Sequence, residues 1–111
     1  MNELLKQPEE ITAVFVASDV LAFGAMQAVK KSGMTIPHDI AVVGFDDVSL
    51  TRFVEPLLTT VQLPAFKIGW ETGAMCLAQI DDNNGNYIGK HLTTKLIIRD
   101  SCGAKNLDLL N

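Results

Sequence analysis

Cysteine is nearly absent: Cys76 and Cys102 are the only two in 111 residues, and they match no metal-ligand spacing. Cys76 falls inside a helical pattern and Cys102 stands beside Gly103, so both read as reduced thiols, and a cytoplasmic setting follows. Positive charge is also scarce. Nine Lys and Arg face 13 Asp and Glu, giving a net charge of −4 without any basic cluster. Duplex binding needs a basic footprint to neutralise phosphates, so these residues are not expected to form a nucleic-acid groove. No apolar run approaches a membrane span, and the N-terminus lacks the basic-then-apolar layout of a signal peptide. The G-x-S-x-G elbow, the P-loop and the dinucleotide glycine signature are all missing. His38 and His91 lack ligating neighbours. Asp82, Asn84 and Asn86 imitate the start of a calcium loop, but Tyr87 stands where glycine is required and no closing Glu follows. No acid–base or nucleophile pair is visible, so the chain reads as a binding module with no cofactor and no metal, and not as an enzyme.

What is present is an ordinary globular composition, 48% hydrophobic and 20% charged, arranged as alternating strands and helices. Asn2–Lys6 is a helical lead-in ended by Pro8. Ala13–Ala17 is a continuous apolar run of strand length that suits a strand covered on both faces. Val20–Ser32 has Ala22, Ala25, Met26 and Val29 on one helical face and is stopped by Gly33. Ile40–Val43 is a second buried strand, followed by a weak helical segment at Ser49–Val54. Leu58–Val61 is a third strand, and a helix opened by Pro64 runs to about Ile80. On that helix Phe66, Gly69, Trp70, Gly73, Leu77 and Ile80 share a face, and Trp70 is read as packing in a core. Asp81–Gly89 is a polar turn, Leu92–Ile98 the last strand, and the chain from Ser101 a loose tail. Repeated strand–helix–strand units imply an α/β fold with a parallel sheet flanked by helices. Ligands of such sheets lie beyond the carboxyl ends of the strands, which singles out Ser18-Asp19 and Asp46-Asp47.

Five phrases stand in order: AVFVASD, LAFGAM, G-x-x-IP-x-DI-x-VVGFDD, P-x-LTTV and LIIRDS. Together they cover about Ile11 to Gly103, and the series resembles the C-terminal part of LacI/GalR-family transcription regulators. The resemblance implies part of a periplasmic-binding-protein-like effector domain of type I. Residues 1–63 would belong to its C-terminal subdomain, 64–91 would cross to the N-terminal subdomain, 92–100 would return as the final strand, and 101–111 would form the tail. It implies a homodimer that binds a small effector of the sugar or nucleoside class in an interdomain cleft. Operator DNA would be reached only through a helix-turn-helix headpiece absent from these residues, and no membrane is involved. The alternative on the same fold is a periplasmic sugar-binding protein of an ABC transporter. The wording IP-x-DI-x-VVGFDD followed by P-x-LTTV favours the regulator.

Site residues follow from position and from the resemblance together. Asp46 ends the Gly-aromatic-Asp step, and in similar proteins that carboxylate accepts hydrogen bonds from ligand hydroxyls or amines. A carboxylate offers two acceptor oxygens and can hold two adjacent hydroxyls. Its other reading is a helix cap. Ser18 aligns with a ligand-contacting position that is often Asn, and it competes with a capping role. Asp19 reads as the cap of the following helix, and Asp47 as structural. Family members often carry Gln immediately before the proline corresponding to Pro64. Here the order is Gln62-Leu63-Pro64, so Leu63 takes the ligand-facing place and implies a less polar cleft wall. Phe23 and Val54 match subunit-pairing positions. Phe23 and Val20 also project away from the buried stripe of their helix.

Overall fold

The computed structural model describes residues 1–81 and 89–104, excluding the side chain of Asp81. A short 3-10 turn at Leu4–Lys6 precedes β1 (Ala13–Phe15) and α1 (Asp19–Lys31). Then come β2 (Ala41–Asp46), a second 3-10 turn at Ser49–Arg52, β3 (Thr59–Gln62), α2 (Ala65–Asp81) and β4 (Lys95–Ile97). The sheet has the order β1-β2-β3-β4. β1, β2 and β3 run parallel, with Ala13 opposite Ala41 and Val43 opposite Thr59. β4 joins antiparallel, with Thr60 opposite Ile97. The expected parallel sheet therefore comprises the first three strands, and the returning strand is an antiparallel addition at its edge.

The α1 stripe is as its spacing predicts: Ala22, Ala25, Met26 and Val29 are buried. Four of the buried core residues come from α1 and β2, where Ala22, Met26, Val29 and Val42 meet Ile40 and Leu58. The helix closes when Gly33 turns to φ +81°, which is costly for a residue with a Cβ. The Gly33 amide then reaches the Lys30 carbonyl and the Met34 amide reaches that of Val29, satisfying acceptors at the helix end.

Three expectations need correction. β1 is an edge strand, and Phe15 is 63% exposed, so it is not covered on both faces in this chain. Ser101 is not the start of a loose tail. It is fully buried, its Oγ donates to the Val42 carbonyl at 2.6 Å, and it accepts from the Thr59 amide at 2.8 Å. The final strand is shorter than Leu92–Ile98 and begins only at Lys95. The expected polar turn and the calcium-like Asp82, Asn84 and Asn86 lie outside the described residues.

The chain divides into two compact units, one of Met1–Gln62 with the chain from Lys95, the other Leu63–Thr94. In the second unit α2 starts where the Ile68 amide bonds the Pro64 carbonyl at 2.9 Å. Glu71 pairs with Lys90 at 2.6 Å. Trp70, expected in a packed core, is 70% exposed, and Phe66, Leu77 and Ile80 are exposed beside it. Its unit has no sheet among the described residues to cover that face.

Gly44 shows how tightly the first unit closes. A Cβ there would lie 2.3 Å from Oδ1 of Asp19 and 3.0 Å from Cδ2 of Leu58, both on fully buried side chains. Neither can swing into solvent, so Gly44→Ala overpacks the sheet–helix joint. We expect a loss of roughly 1–3 kcal/mol, read from denaturant unfolding of the intact protein. Full wild-type stability in this variant would show that the joint can relax.

Candidate functional site

Three aspartates converge on the carboxyl edge of the parallel strands, and their surroundings give them different roles. Asp19 opens α1 and is completely buried. Its Oδ1 accepts from Thr60 Oγ1 at 2.6 Å and its Oδ2 from the Val48 amide at 2.9 Å. It therefore does not cap its own helix. Ser18 holds the N-cap position, with no side-chain cap bond. Asp19 instead ties the start of α1 to β3 and to the loop after β2, and its charge lies in the first turn, where the helix dipole favours an anion.

Asp47 is engaged as fully. Its Oδ1 receives Arg99 Nη2 at 2.6 Å and its Oδ2 receives Gln62 Nε2 at 2.8 Å, with Thr51 Oγ1 at 3.4 Å from Oδ1. The carboxylate is 3% exposed and its guanidinium partner 9%. Arg99 also donates through Nη1 to the Leu58 carbonyl at 2.7 Å, while its backbone amide bonds Thr59 Oγ1 at 2.9 Å. Burial pushes the Asp47 carboxyl up, but the hydrogen bonds from Arg99 and Gln62, with the charges of Arg99 and Arg52, outweigh it and hold the group below the ordinary range. The structural role expected for Asp47 is the one it has. Arg99, lying in the LIIRDS phrase, is the residue that sequence reasoning missed. Nothing local marks an arginine as the buried partner of an aspartate 52 positions earlier.

Asp46 differs from both. It is half-buried, and its carboxylate has no hydrogen-bond partner among the described residues. Its backbone has φ 114°, and Asp47 follows at φ 58°. The second value lies in the left-handed region that Asp tolerates, whereas the first is a strained conformation for any residue with a side chain. Strain of this kind persists only where the surroundings fix it, and it recurs at ligand clamps.

Asp46 pairs across the sheet with Gln62, so the half-buried Ser18, Asp46, Asp47 and Gln62 all belong to this edge. Gln62 does not project freely, because its amide nitrogen is held by Asp47. Leu63 follows it as the first residue of the second unit and is half-buried. No cluster of His, Cys, Asp and Glu fit to hold a metal occurs among the described residues.

The other group of expected residues lies on α1 and after the second 3-10 turn. Phe23 and Val54 line one shallow groove with Met26, Gln27 and Lys30, and the Lys30 ammonium donates to the Glu55 carbonyl. Phe23, expected to turn away from the buried stripe, is in fact half-buried and packs against the core cluster, as does Val54. Val20 is 67% exposed one turn earlier on α1, and Phe53, which sequence reasoning did not single out, is 84% exposed.

With the edge of the sheet established, the chain can be set beside known proteins. Residues 1–102 match the model of the periplasmic binding protein-like domain. The chain belongs to that family. It is 38% identical over 104 residues to the HTH-type transcriptional repressor CytR of Escherichia coli K12, covering 94% of this chain and 30% of the repressor. It is 36% identical over 101 residues to the ribose operon repressor of Haemophilus influenzae, covering 91% and 30%. Among solved structures, the transcriptional regulator CelR–cellobiose complex superposes with TM-score 0.83 at 33% identity, covering 89% of this chain and 30% of that one. A LacI-family regulator from Enterococcus faecium with bound ribose gives 0.75 at 30% identity, covering 89% and 36%. The resemblance to LacI/GalR-type regulators is thus borne out, and the chain is part of an effector-binding domain of that type. It spans about a third of the length of the relatives it matches.

Within this family fold the Asp47–Arg99 pair makes a definite demand on pH. A carboxyl held below its ordinary pKa adds stability that is complete above about pH 4 and is lost as pH falls through its folded-state value. Arg99→Met would leave Asp47 buried without its cation, at a cost of roughly 3–5 kcal/mol near neutrality. It would also raise the Asp47 pKa, so its thermal midpoint would respond to acid at a higher pH than the wild type does. Thermal unfolding from pH 7 to pH 3 checks both. Coincident curves for the two proteins would mean the pair contributes nothing to folding.

Proposed function

We propose that this chain is the effector-sensing part of a cytoplasmic LacI/GalR-type transcription regulator. Its ligand is a small polyhydroxylated molecule, a sugar or nucleoside, bound beyond the carboxyl edge of the sheet in the cleft between two subdomains. One observation carries the reading: of the three aspartates at that edge, Asp19 and Asp47 are spent on internal bonds, while Asp46 keeps its acceptors unused. Two carboxylate oxygens can take two neighbouring hydroxyls, the recurring pattern of a sugar ring. Ser18 adds a donor and acceptor from the N-cap position of α1, and Leu63 an apolar contact. Relatives named for ribose regulation, or solved with ribose or cellobiose, support a sugar-like ligand.

Sensing works through differential affinity. The effector shifts the protein only insofar as it binds one arrangement of the subdomains better than the other. In this reading the regulator pairs as a homodimer through the groove of Phe23 and Val54, with Val20 beside it. It reaches operator DNA through a headpiece outside this chain.

Asp46→Asn keeps the shape of the side chain and removes the charge and one acceptor. Hydrogen bonds to a charged group contribute roughly 1.5–3 kcal/mol each, so effector affinity should fall tenfold or more with folding intact. Calorimetric titration of the full-length regulator with ribose, cellobiose and adenosine reads this directly. Equal affinity in variant and wild type would reduce Asp46 to a turn residue.

For the dimer, Phe23→Glu would bury an unpaired charge and Val20→Glu would add one on the exposed turn. Both should move sedimentation of the full-length protein towards monomer. Because Phe23 also touches the core, Val20→Glu separates loss of pairing from loss of folding. A dimer undisturbed by either change would place the interface elsewhere.

A further inference from the structure

The turn at Asp46 and Asp47 is held by polar bonds that come from outside it. Asp46 and Asp47 are consecutive residues at positive φ, so the turn opposes its own backbone preference and needs outside restraint. The Asp47 amide faces Thr60 Oγ1 at 3.4 Å, and the Val48 amide is held by Asp19. The Asp47 carboxylate is gripped from β3 by Gln62 and from beyond β4 by Arg99. Gln62 is the last residue before the chain leaves the first unit, and Lys95, four positions before Arg99, is where it returns. The grip on the turn thus comes from the two segments that lead out of this unit and back into it.

We propose that Asp47, Arg99 and Gln62 form a positioning clamp that presets the Asp46 carboxylate for ligand, so that effector affinity depends on residues that never touch the effector. This rests on the reading of Asp46 as the ligand-binding carboxylate. The clamp acts by removing freedom before binding. A carboxylate already fixed in its binding orientation loses little entropy when the ligand arrives, whereas one on a slack turn must be ordered at that moment. The bidentate use of Arg99, one nitrogen on Asp47 and the other on the Leu58 carbonyl, makes the restraint directional in a way a lysine could not reproduce. Arg99 and Asp47 are therefore positioning residues, and movement of either bounding segment would be felt at Asp46.

The test uses the full-length regulator carrying Asp47→Asn together with Arg99→Met. The paired change removes both charges, so neither is left buried alone, and Asn tolerates the left-handed backbone at this position. Two readouts are needed. Hydrogen exchange at the Asp47 and Val48 amides should rise at least tenfold while the amides of α1 keep their protection. Affinity for whichever of ribose, cellobiose and adenosine binds the wild type should fall at least tenfold, and the loss should vanish in an Asp46→Asn background because the clamp acts through that carboxylate. Unchanged exchange at the turn overturns the proposal whether or not any of the three ligands binds. So does a loss of affinity that simply adds to that of Asp46→Asn. If Asp46→Asn alone leaves affinity unaltered, the ligand assignment fails, and the exchange data still decide whether the clamp holds the turn. Should the paired variant not fold, Gln62→Met removes one arm of the clamp and leaves the ion pair in place. It should raise exchange at Asp47 and weaken binding about threefold, and wild-type values for both would overturn the clamp.

Discussion

Between the carboxyl ends of β2 and β3 and the segment that follows β4, a carboxylate and a guanidinium leave water together. Removing two charges from water costs several kcal/mol per ion, and attraction offsets that only when geometry is close and remaining valences are filled. Asp47 and Arg99 meet those terms: 2.6 Å apart, with Gln62 and Thr51 on the carboxylate and the Leu58 carbonyl on the other nitrogen. A buried pair of this kind adds little net stability compared with a well-packed apolar pair. Its effect is to penalise any arrangement that separates the partners. The returning chain must come back beside β3, and the loop after β2 must turn inward, or two charges are stranded.

The neighbouring Asp19 imposes the same discipline at the start of α1. Its carboxylate fills the space that Gly44 leaves open, and its two bonds fix α1 against β3 and the Val48 turn. Thr60 joins the two centres, donating to Asp19 while its oxygen faces the Asp47 amide. Ser101 and Thr59 extend the bonding to the base of β2. Among the described residues no buried side-chain nitrogen or oxygen lacks a partner, which is the condition under which a polar interior specifies one arrangement.

Much of this was legible in the residues, and the rest was hidden for a consistent reason. Local periodicity decides helices, so the α1 stripe of Ala22, Ala25, Met26 and Val29 could be read directly, as could α2. The three parallel strands at Ala13, Ile40 and Leu58 could be read from apolar runs of strand length alternating with helices, whereas their order in the sheet could not. Long-range facts had no local signature. Asp19 looks like a helix cap because Ser-Asp before an apolar helix usually is one, and only the proximity of Thr60 and Val48 turns it inward. Arg99 and Ser101 occupy a polar stretch near the end of the chain, where polarity suggests solvent, yet both are buried. Exposure on Phe15 and Trp70 was misjudged because apolar patterning records that a face is to be covered, without saying by which segment.

These constraints bear on how a family fold can change its ligand without losing its shape. At the edge of this sheet bonded and unbonded carboxylates follow one another along the chain: Asp46 is half-buried with no partner among the described residues, whereas Asp47 is turned inward onto Gln62 and Arg99. The inward set is bound by charge and by burial, so substitution there is penalised whatever the ligand. The Asp46 carboxylate carries no such obligation. Leu63, in a place where similar proteins often carry a polar residue, illustrates the difference, because the internal partner of Asp47 is Gln62 and remains so when the next residue becomes apolar. In the proposed reading, ligand choice can drift at Ser18, Asp46 and Leu63 while Asp19, Asp47 and Arg99 keep the frame, and the Asp46 carboxylate differs from those of Asp19 and Asp47 in having no partner among the described residues.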